Sequence, residues 1–249
     1  MILAASELSV TRGDAPVLRD VSAALRPGEV TAIVGPNGAG KSSLLMALTG
    51  LLAPSAGAVS LDGEALAALH PTQRAKAIGY LPQEADVAWD VSVEALVALG
   101  RLPHRDSRRE PVAAALDALG LNDLAHRPVS RLSGGERARV LLARVLAGEP
   151  RWILADEPFA ALDLAHQHAL IGHLKRCASN GAGVVIVVHD LATAMNHADR
   201  VLVLSEGRLA ADAPACDALS GATISRVWGV DTQWLGNPGQ HALVTLGGE

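Results

Sequence analysis

The chain has 249 residues, 49% hydrophobic and 19% charged, so it can bury a large core and is not a disordered chain. Its 21 Lys and Arg against 26 Asp and Glu leave a net charge of −5, which argues against a general nucleic-acid binder. Two cysteines, Cys177 and Cys216, supply neither a disulfide framework nor a zinc site and fit a reducing compartment. The first residues, MILAASELSV, place no basic region ahead of an apolar core, and no signal peptide is expected. ELSVTRG and VLRDVSAAL alternate apolar and polar residues, which predicts half-buried antiparallel strands, and RPGE (26–29) predicts a turn. VTAIVG (30–35) is a continuous apolar run, as expected of a strand covered on both faces. SSLLMALTG predicts a helix that stops at Gly50. The charge-free stretch 42–61 is long enough for a membrane span, but Gly50, Pro54 and Gly57 interrupt it, and helix followed by turn is the better reading.

GAVSLDG (57–63) predicts another strand and turn. Between about 91 and 148 the pattern turns helical: VSVEALVALG, PVAAALDALG and ERARVLLARVLAG are Ala- and Leu-rich with no strand between them. WILAD (152–156) and VVIVV (184–188) return to strands, RVLVLSEGRL predicts a hairpin turning at Glu206-Gly207, and HALVTL predicts a closing strand.

Gly35-Pro36-Asn37-Gly38-Ala39-Gly40-Lys41-Ser42 has the G-x-x-x-x-G-K-[ST] spacing, with an apolar strand before it and a helix after it. Glycines let the backbone curl so that successive N–H groups face phosphate oxygens, and the helix N-terminus adds its positive end. Lys41 is expected to reach the β- and γ-phosphates and Ser42 to ligate Mg²⁺. The bland alternative is a glycine turn with an exposed lysine. WILADEP ends a strand in two carboxylates: Asp156 is expected to face Mg²⁺ and Glu157 to orient or deprotonate the attacking water. Alone, two acids at a strand end are often a solvated turn; beside a phosphate loop they complete a hydrolytic site.

Leu132-Ser133-Gly134-Gly135-Glu136 is a second anion-binding helix start, or else an ordinary N-cap behind a glycine turn. The helix after it, about 13 residues, would span roughly 20 Å. If it is straight, Ser133 does not reach the phosphate beside Asp156, and a second copy of the chain is expected to supply one. This predicts a head-to-tail dimer with two ATPs held between phosphate loop and Ser133 segment.

These motifs together resemble the ATP-binding subunits of ABC transporters, over about residues 5–212. GPNGAGKSS resembles the family's Walker A, LSGGE its signature and ILADEP its Walker B; Gln83 in LPQE, Asp163 in AALD and His189 in VVHD match three further positions. The resemblance implies an α/β fold: a P-loop NTPase (RecA-like) core with an N-terminal antiparallel β subdomain (1–84 and 150–212), an inserted α-helical subdomain (85–149) and an extension (213–249). It implies that Gly35 to Ser43 bind ATP, with Lys41, Gln83, Glu157 and His189 catalytic and Ser42, Gln83 and Asp156 around Mg²⁺. It further implies that Ser133, Gly134, Gly135 and Glu136 face the partner's γ-phosphate and that Asp163 crosses the dimer interface. The other histidines, His166 and His168 included, are left outside the site. Two positions depart from the family: Arg12 stands where an aromatic residue usually stacks on adenine, and Phe159 stands where a small hydroxyl residue is common. A guanidinium plane also stacks on a base.

GRLPH (100–104) resembles a segment typical of importers for iron-siderophores, haem and cobalamin, unless it is only a helix C-cap at Gly100 followed by Pro103. The implied partners are a second copy of this chain, membrane permease subunits docked in a groove beside Gln83 and the helical subdomain, and indirectly a substrate-binding protein, at the cytoplasmic face of the inner membrane. The alternatives are the ATPase of another ABC importer or of an exporter, and a soluble ABC ATPase of translation or DNA repair. The second class usually carries two such domains or a long coiled coil, and neither pattern occurs here.

Overall fold

A computed structural model describes residues 2–83, 90–160 and 162–246. Ala161 of AALD, and the boundary expected between 84 and 85, lie outside the described residues. β1 (Leu3–Arg12) and β2 (Ala15–Leu25) form a hairpin turning at Gly13, whose φ of 58° suits a glycine. Their alternating apolar residues point one way, which makes one face of this sheet buried. β3 (Val30–Val34) is fully buried, and α1 (Lys41–Leu48) leaves it through the glycine loop. β4 (Ala56–Leu61) and β5 (Glu64–Ala65) complete an antiparallel sheet of order β2-β1-β4-β5.

α2 (Pro71–Ala77) and β6 (Ile78–Leu81) follow, then α3 (Val93–Ala98), a 3-10 turn (Leu99–His104), α4 (Glu110–Ala118) and α5 (Gly134–Ala147). β7 (Trp152–Asp156), α6 (Leu164–Ser179), β8 (Gly183–Val187), α7 (Leu191–His197), β9 (Arg200–Ser205) and β10 (Arg208–Pro214) complete the main body. α8 (Ala215–Ala218), α9 (Gly221–Trp228) and a hairpin of β11 (Thr232–Leu235) and β12 (Ala242–Thr245) end the described chain.

The central sheet has the order β10-β9-β3-β8-β7-β6, parallel except for β10. Strands covered on both faces need apolar residues at every position, which is why VTAIV, WILAD and GVVIV run nearly unbroken. The two faces feed different cores. Ile33 packs with α1 and the antiparallel sheet through Leu8, Leu44 and Leu45. Ala32 and Val34, one residue either side, pack with the helical layer through Leu96, Leu142 and Leu174. Each core excludes dozens of apolar side chains from water, and that transfer is the main force holding the layers together. Gly183 is fixed by the same packing: a Cβ there would lie 2.3 Å from the ring of the buried Trp152.

The parallel order puts the carboxyl ends of β3 and β7 on one edge of the sheet, where the glycine loop and the two acids meet. The described part of 91–148 holds helices and 3-10 turns joined by short loops, and no strand beyond one isolated bridge between Ser92 and Pro128. The GRLPH segment goes against the bland alternative for it: Gly100 is no helix cap but sits inside the 3-10 turn, where a Cβ would meet the Arg144 carbonyl oxygen at 2.1 Å. Several elements carried no sequence signal. α2 buries none of its residues and owes its start to a His70–Gln73 capping box with Pro71 at its first turn, so apolar periodicity could not reveal it. β6 is four residues long and contains Gly79.

Candidate nucleotide site

The loop between β3 and α1 is shaped by glycines at positions no other residue fits. At Gly35, with φ 153°, a Cβ would lie 2.2 Å from the Leu204 carbonyl oxygen; Gly40, with φ 97°, turns into α1 against Leu18 and Val17. Asn37, Gly38 and Ser42 line a cleft of about 550 Å³ together with Arg12, Val17, Lys41, Ser43, Gln83, Glu157 and His189. Ala39 turns its methyl into the core, and Pro36 contributes its carbonyl, so both serve the loop through the backbone. The Lys41 ammonium is buried and donates to the carbonyls of Gly35 (2.8 Å) and Pro36 (3.1 Å). Burial lowers its pKa, and Glu157 and Asp156 pull it back up.

Asp156 ends β7 with 3% of its surface exposed, bonded to the Ser42 hydroxyl, while its Oδ1 has no hydrogen-bond partner. Burial raises its pKa, Glu157 adds to the rise, and Ser42, Lys41 and His189 oppose it. A carboxyl whose folded pKa is raised stabilises the fold when protonated, below its unfolded value, and that contribution is lost as pH rises through the folded value. Asp156→Asn should therefore raise the Tm of the chelator-treated, nucleotide-free protein at neutral pH by about 2–4 °C, the shift that one kcal/mol makes at this size. A lower Tm in calorimetry would mean that the carboxylate is not strained by its burial.

Glu157 follows in the left-handed backbone region, φ 50°, fastened by its N–H to the Val187 carbonyl at 3.1 Å. Both carboxylate oxygens are engaged. Gln83 Nε2 donates to Oε2 at 2.8 Å, and His189 Nε2 bonds Oε1 in a short contact. Gln83 follows β6 and His189 follows β8, so three parallel strands deliver one cluster to the edge of the cleft. Tyr80, which the sequence reading passed over, is linked to this cluster: burial first and the Asp156 charge second push its phenol to about 12, against the pull of Arg12. Val17 was also passed over, because it reaches the cleft from β2 only through the hairpin register. Arg12 lines the same cleft and its guanidinium touches the Met46 sulfur at 3.5 Å.

The Ser133 segment stands apart. No residue of 132–136 lines the glycine-loop cleft. α5 begins at Gly134, two residues earlier than expected, with Ser133 as its N-cap. Glu136 N–H donates to Ser133 Oγ at 3.3 Å, and Ser133 N–H donates to Glu136 Oε2 at 2.8 Å; that backbone donor first, and the Ser133 side chain second, hold the Glu136 carboxyl below its usual pKa. Ser133 and Gly134 remain exposed. Asp163 is likewise an exposed N-cap, taking the His166 N–H at 2.8 Å at the start of α6. Phe159 is half-buried against the helical-layer core beside Glu157, a packing role.

The sequence pattern of the ABC transporter family matches residues 18–160. The Hemin import ATP-binding protein HmuV of Rhodococcus jostii (strain RHA1) is 43% identical over 98% of this chain and 85% of its own length. That of Pseudomonas entomophila (strain L48) is 46% identical, over 90% of this chain and 91% of its own. Among solved structures, a chain of a transporter assigned to the metal-chelate type, in an inward-facing conformation, superposes with TM-score 0.82 at 27% identity, covering 98% of this chain and 97% of that one. An ATP-binding cassette solved as a dimer with ADP and Pi superposes with TM-score 0.78 at 26% identity, covering 86% of this chain and 98% of that one.

Proposed function

This chain belongs to the ABC transporter family of ATP-binding proteins, and from that premise we propose that it hydrolyses ATP to power haem import through membrane permease subunits and a substrate-binding protein. The observation that carries the reading is the Gln83–Glu157–His189 cluster on the rim of the glycine-loop cleft. The haem assignment draws on relatives at 43% and 46% identity that carry that name, and the metal-chelate neighbour agrees with it.

The α1 N-terminus and the loop N–H groups hold the phosphates, and Lys41 leaves its two carbonyls to meet the terminal one. Arg12 offers a flat cation to the base. Mg²⁺ fits the residues present: Asp156 keeps one buried carboxylate oxygen without a donor beside the Ser42 hydroxyl, and no cluster of three metal-ligating side chains competes among the described residues. Ser42, Asp156 and the Gln83 side chain would hold it, and when bound it supplies charge compensation on the transferring phosphate. Glu157 orients the attacking water and takes its proton; His189 holds Glu157 and the phosphate side in register.

Ser133, Gly134, Gly135 and Glu136 are available to a second copy, whose ATP they would close over, with Asp163 along that interface. Glu157→Gln protein should dimerise with ATP in gel filtration, and Ser133→Arg in the same background should stay monomeric. Proteoliposomes holding the chain and its permease pair should take up haem only with ATP. A monomer at every protein concentration, or uptake indifferent to ATP, would overturn the reading. No helix of the described residues is long and apolar enough to cross a membrane; the proposed place is the cytoplasmic face of the inner membrane, held there by the permease.

A further inference from the structure

No described residue of 213–246 lines the glycine-loop cleft. Yet this segment is fastened to the helix that follows His189. α7 starts behind its N-cap Asp190, the residue next to His189, which takes the N–H groups of Ala192 (3.2 Å) and Thr193 (2.8 Å). α7 has seven residues, too few to hold a helix in water alone, so its neighbours set its direction. Beyond it, Asp199 is tied to Val30 at the start of β3: its N–H donates to the Val30 carbonyl and its carboxylate accepts the Val30 N–H, both at 2.8 Å. Between these fixed ends stands Asn196, in the last turn of α7. Its Nδ2 donates to the His241 carbonyl at 2.8 Å, and its Oδ1 accepts the His241 N–H at 2.7 Å.

This two-point clasp joins α7 to the terminal hairpin and is directional in a way that apolar packing is not. Asparagine is a poorer helix residue than alanine, and the bonds of its amide account for its place here. Both His241 atoms are main chain, so the clasp fixes the path of the hairpin against α7 and not one rotamer. Trp234 anchors the other strand: its Nε1 donates to the carbonyl of the buried Leu219 at 2.7 Å, and its ring meets the His241 ring edge-on at 6.1 Å. β11 and β12 pair only with each other and leave Leu235 and Val244 exposed. A two-stranded hairpin is marginal by itself, so these anchors decide whether it stays in place.

We propose that the hairpin is a strap that sets His189, with Asn196 as a positioning residue for hydrolysis. The inference rests on the hydrolytic reading above. α7 is a lever about 10 Å long. The clasp fixes its tilt at one end, and at the other Asp190 carries the backbone from which the His189 ring reaches Glu157. With the clasp closed, His189 Nε2 stays on Glu157 Oε1. With it open, α7 tilts between Asp190 and Asp199 and the ring leaves the carboxylate. ATP binding does not pass through this element, because the glycine loop and Lys41 meet the phosphates.

The test uses the whole chain. Asn196→Ala should lower kcat by about tenfold, within the roughly 10²-fold that a misplacement of about 1 Å can cost, with KM for ATP within about twofold. His241→Ala keeps both main-chain atoms of the clasp and removes a ring whose Nδ1 has no partner, so its kcat should stay within about twofold of the wild type. In ¹⁵N-histidine NMR of the nucleotide-free protein, the His189 ring signal, assigned by its loss in His189→Ala, should move in Asn196→Ala and stay in His241→Ala. If the wild-type chain hydrolyses ATP and Asn196→Ala matches its kcat, the strap proposal is wrong. It is equally wrong if kcat falls while the His189 signal stays, or if His241→Ala does as much as Asn196→Ala. If the wild-type chain hydrolyses no ATP, the hydrolytic reading itself fails. Should Asn196→Ala not fold, Trp234→Phe decides: it keeps a ring, drops the donor to Leu219, and should move the same signal with kcat down about threefold; an unchanged signal and rate overturn the proposal.

Discussion

Glu157→Gln is expected to lower ATP turnover by about 10²–10⁴, the range a positioned general base contributes, while ATP affinity stays within about twofold, since less than ~0.4 kcal/mol of binding rests on the base. The substitution is informative because it removes charge and little else. A carboxamide oxygen still accepts from Gln83 Nε2, and its NH₂ still faces His189, so the cluster keeps its shape. What disappears is the ability to take a proton from water. Single-turnover hydrolysis with radiolabelled ATP, next to equilibrium binding of a fluorescent analogue, separates the two. Full hydrolysis by the variant would remove Glu157 from the chemistry and leave it only the role of bracing Gln83 and His189.

Lys41→Ala acts on the other half of the site, and its expected effect is loss of turnover to background with ATP affinity down by about 10–100-fold. Hydrogen bonds to a charged group are worth about 1.5–3 kcal/mol, which gives that range. The ammonium interacts electrostatically with both Asp156 and Glu157, so its removal leaves two carboxylates facing the incoming phosphates with less compensation. The variant should fold, because deletion of a desolvated cation bonded only to two carbonyls leaves the core untouched. Isothermal titration calorimetry checks the affinity; binding within twofold of the wild type would mean that the loop amides alone hold the nucleotide.

How much of this was legible in the sequence depends on how far apart the cooperating residues lie. The glycine loop could be read because strand, loop, lysine and helix are contiguous and each residue type answers one steric or electrostatic need. Ile33 and its neighbours were legible as a strand covered on both faces for the same reason. The Gln83–Glu157–His189 cluster spans residues 83 to 189, and only the family resemblance suggested that these belong together; their mutual hydrogen bonds are visible only once three parallel strands bring them to one edge. α2 was illegible because its stability comes from its ends. Ser133 shows the converse: its cap on α5 was one of two readings of LSGGE, and the structure displays that cap while leaving the residue exposed, so the two readings do not compete. The bland alternative for GRLPH, a helix terminus, was open because Gly and Pro end helices, whereas Gly100 lets the turn touch α5.

One feature of the active edge reaches beyond chemistry. Residue 157 holds a backbone geometry that glycine or asparagine adopts at far lower cost than glutamate. Heat-selected libraries of this gene would accordingly drift toward Gly or Asn at that codon, enriching proteins that melt later and move nothing. Any programme to harden the molecule has to lock position 157 before it begins.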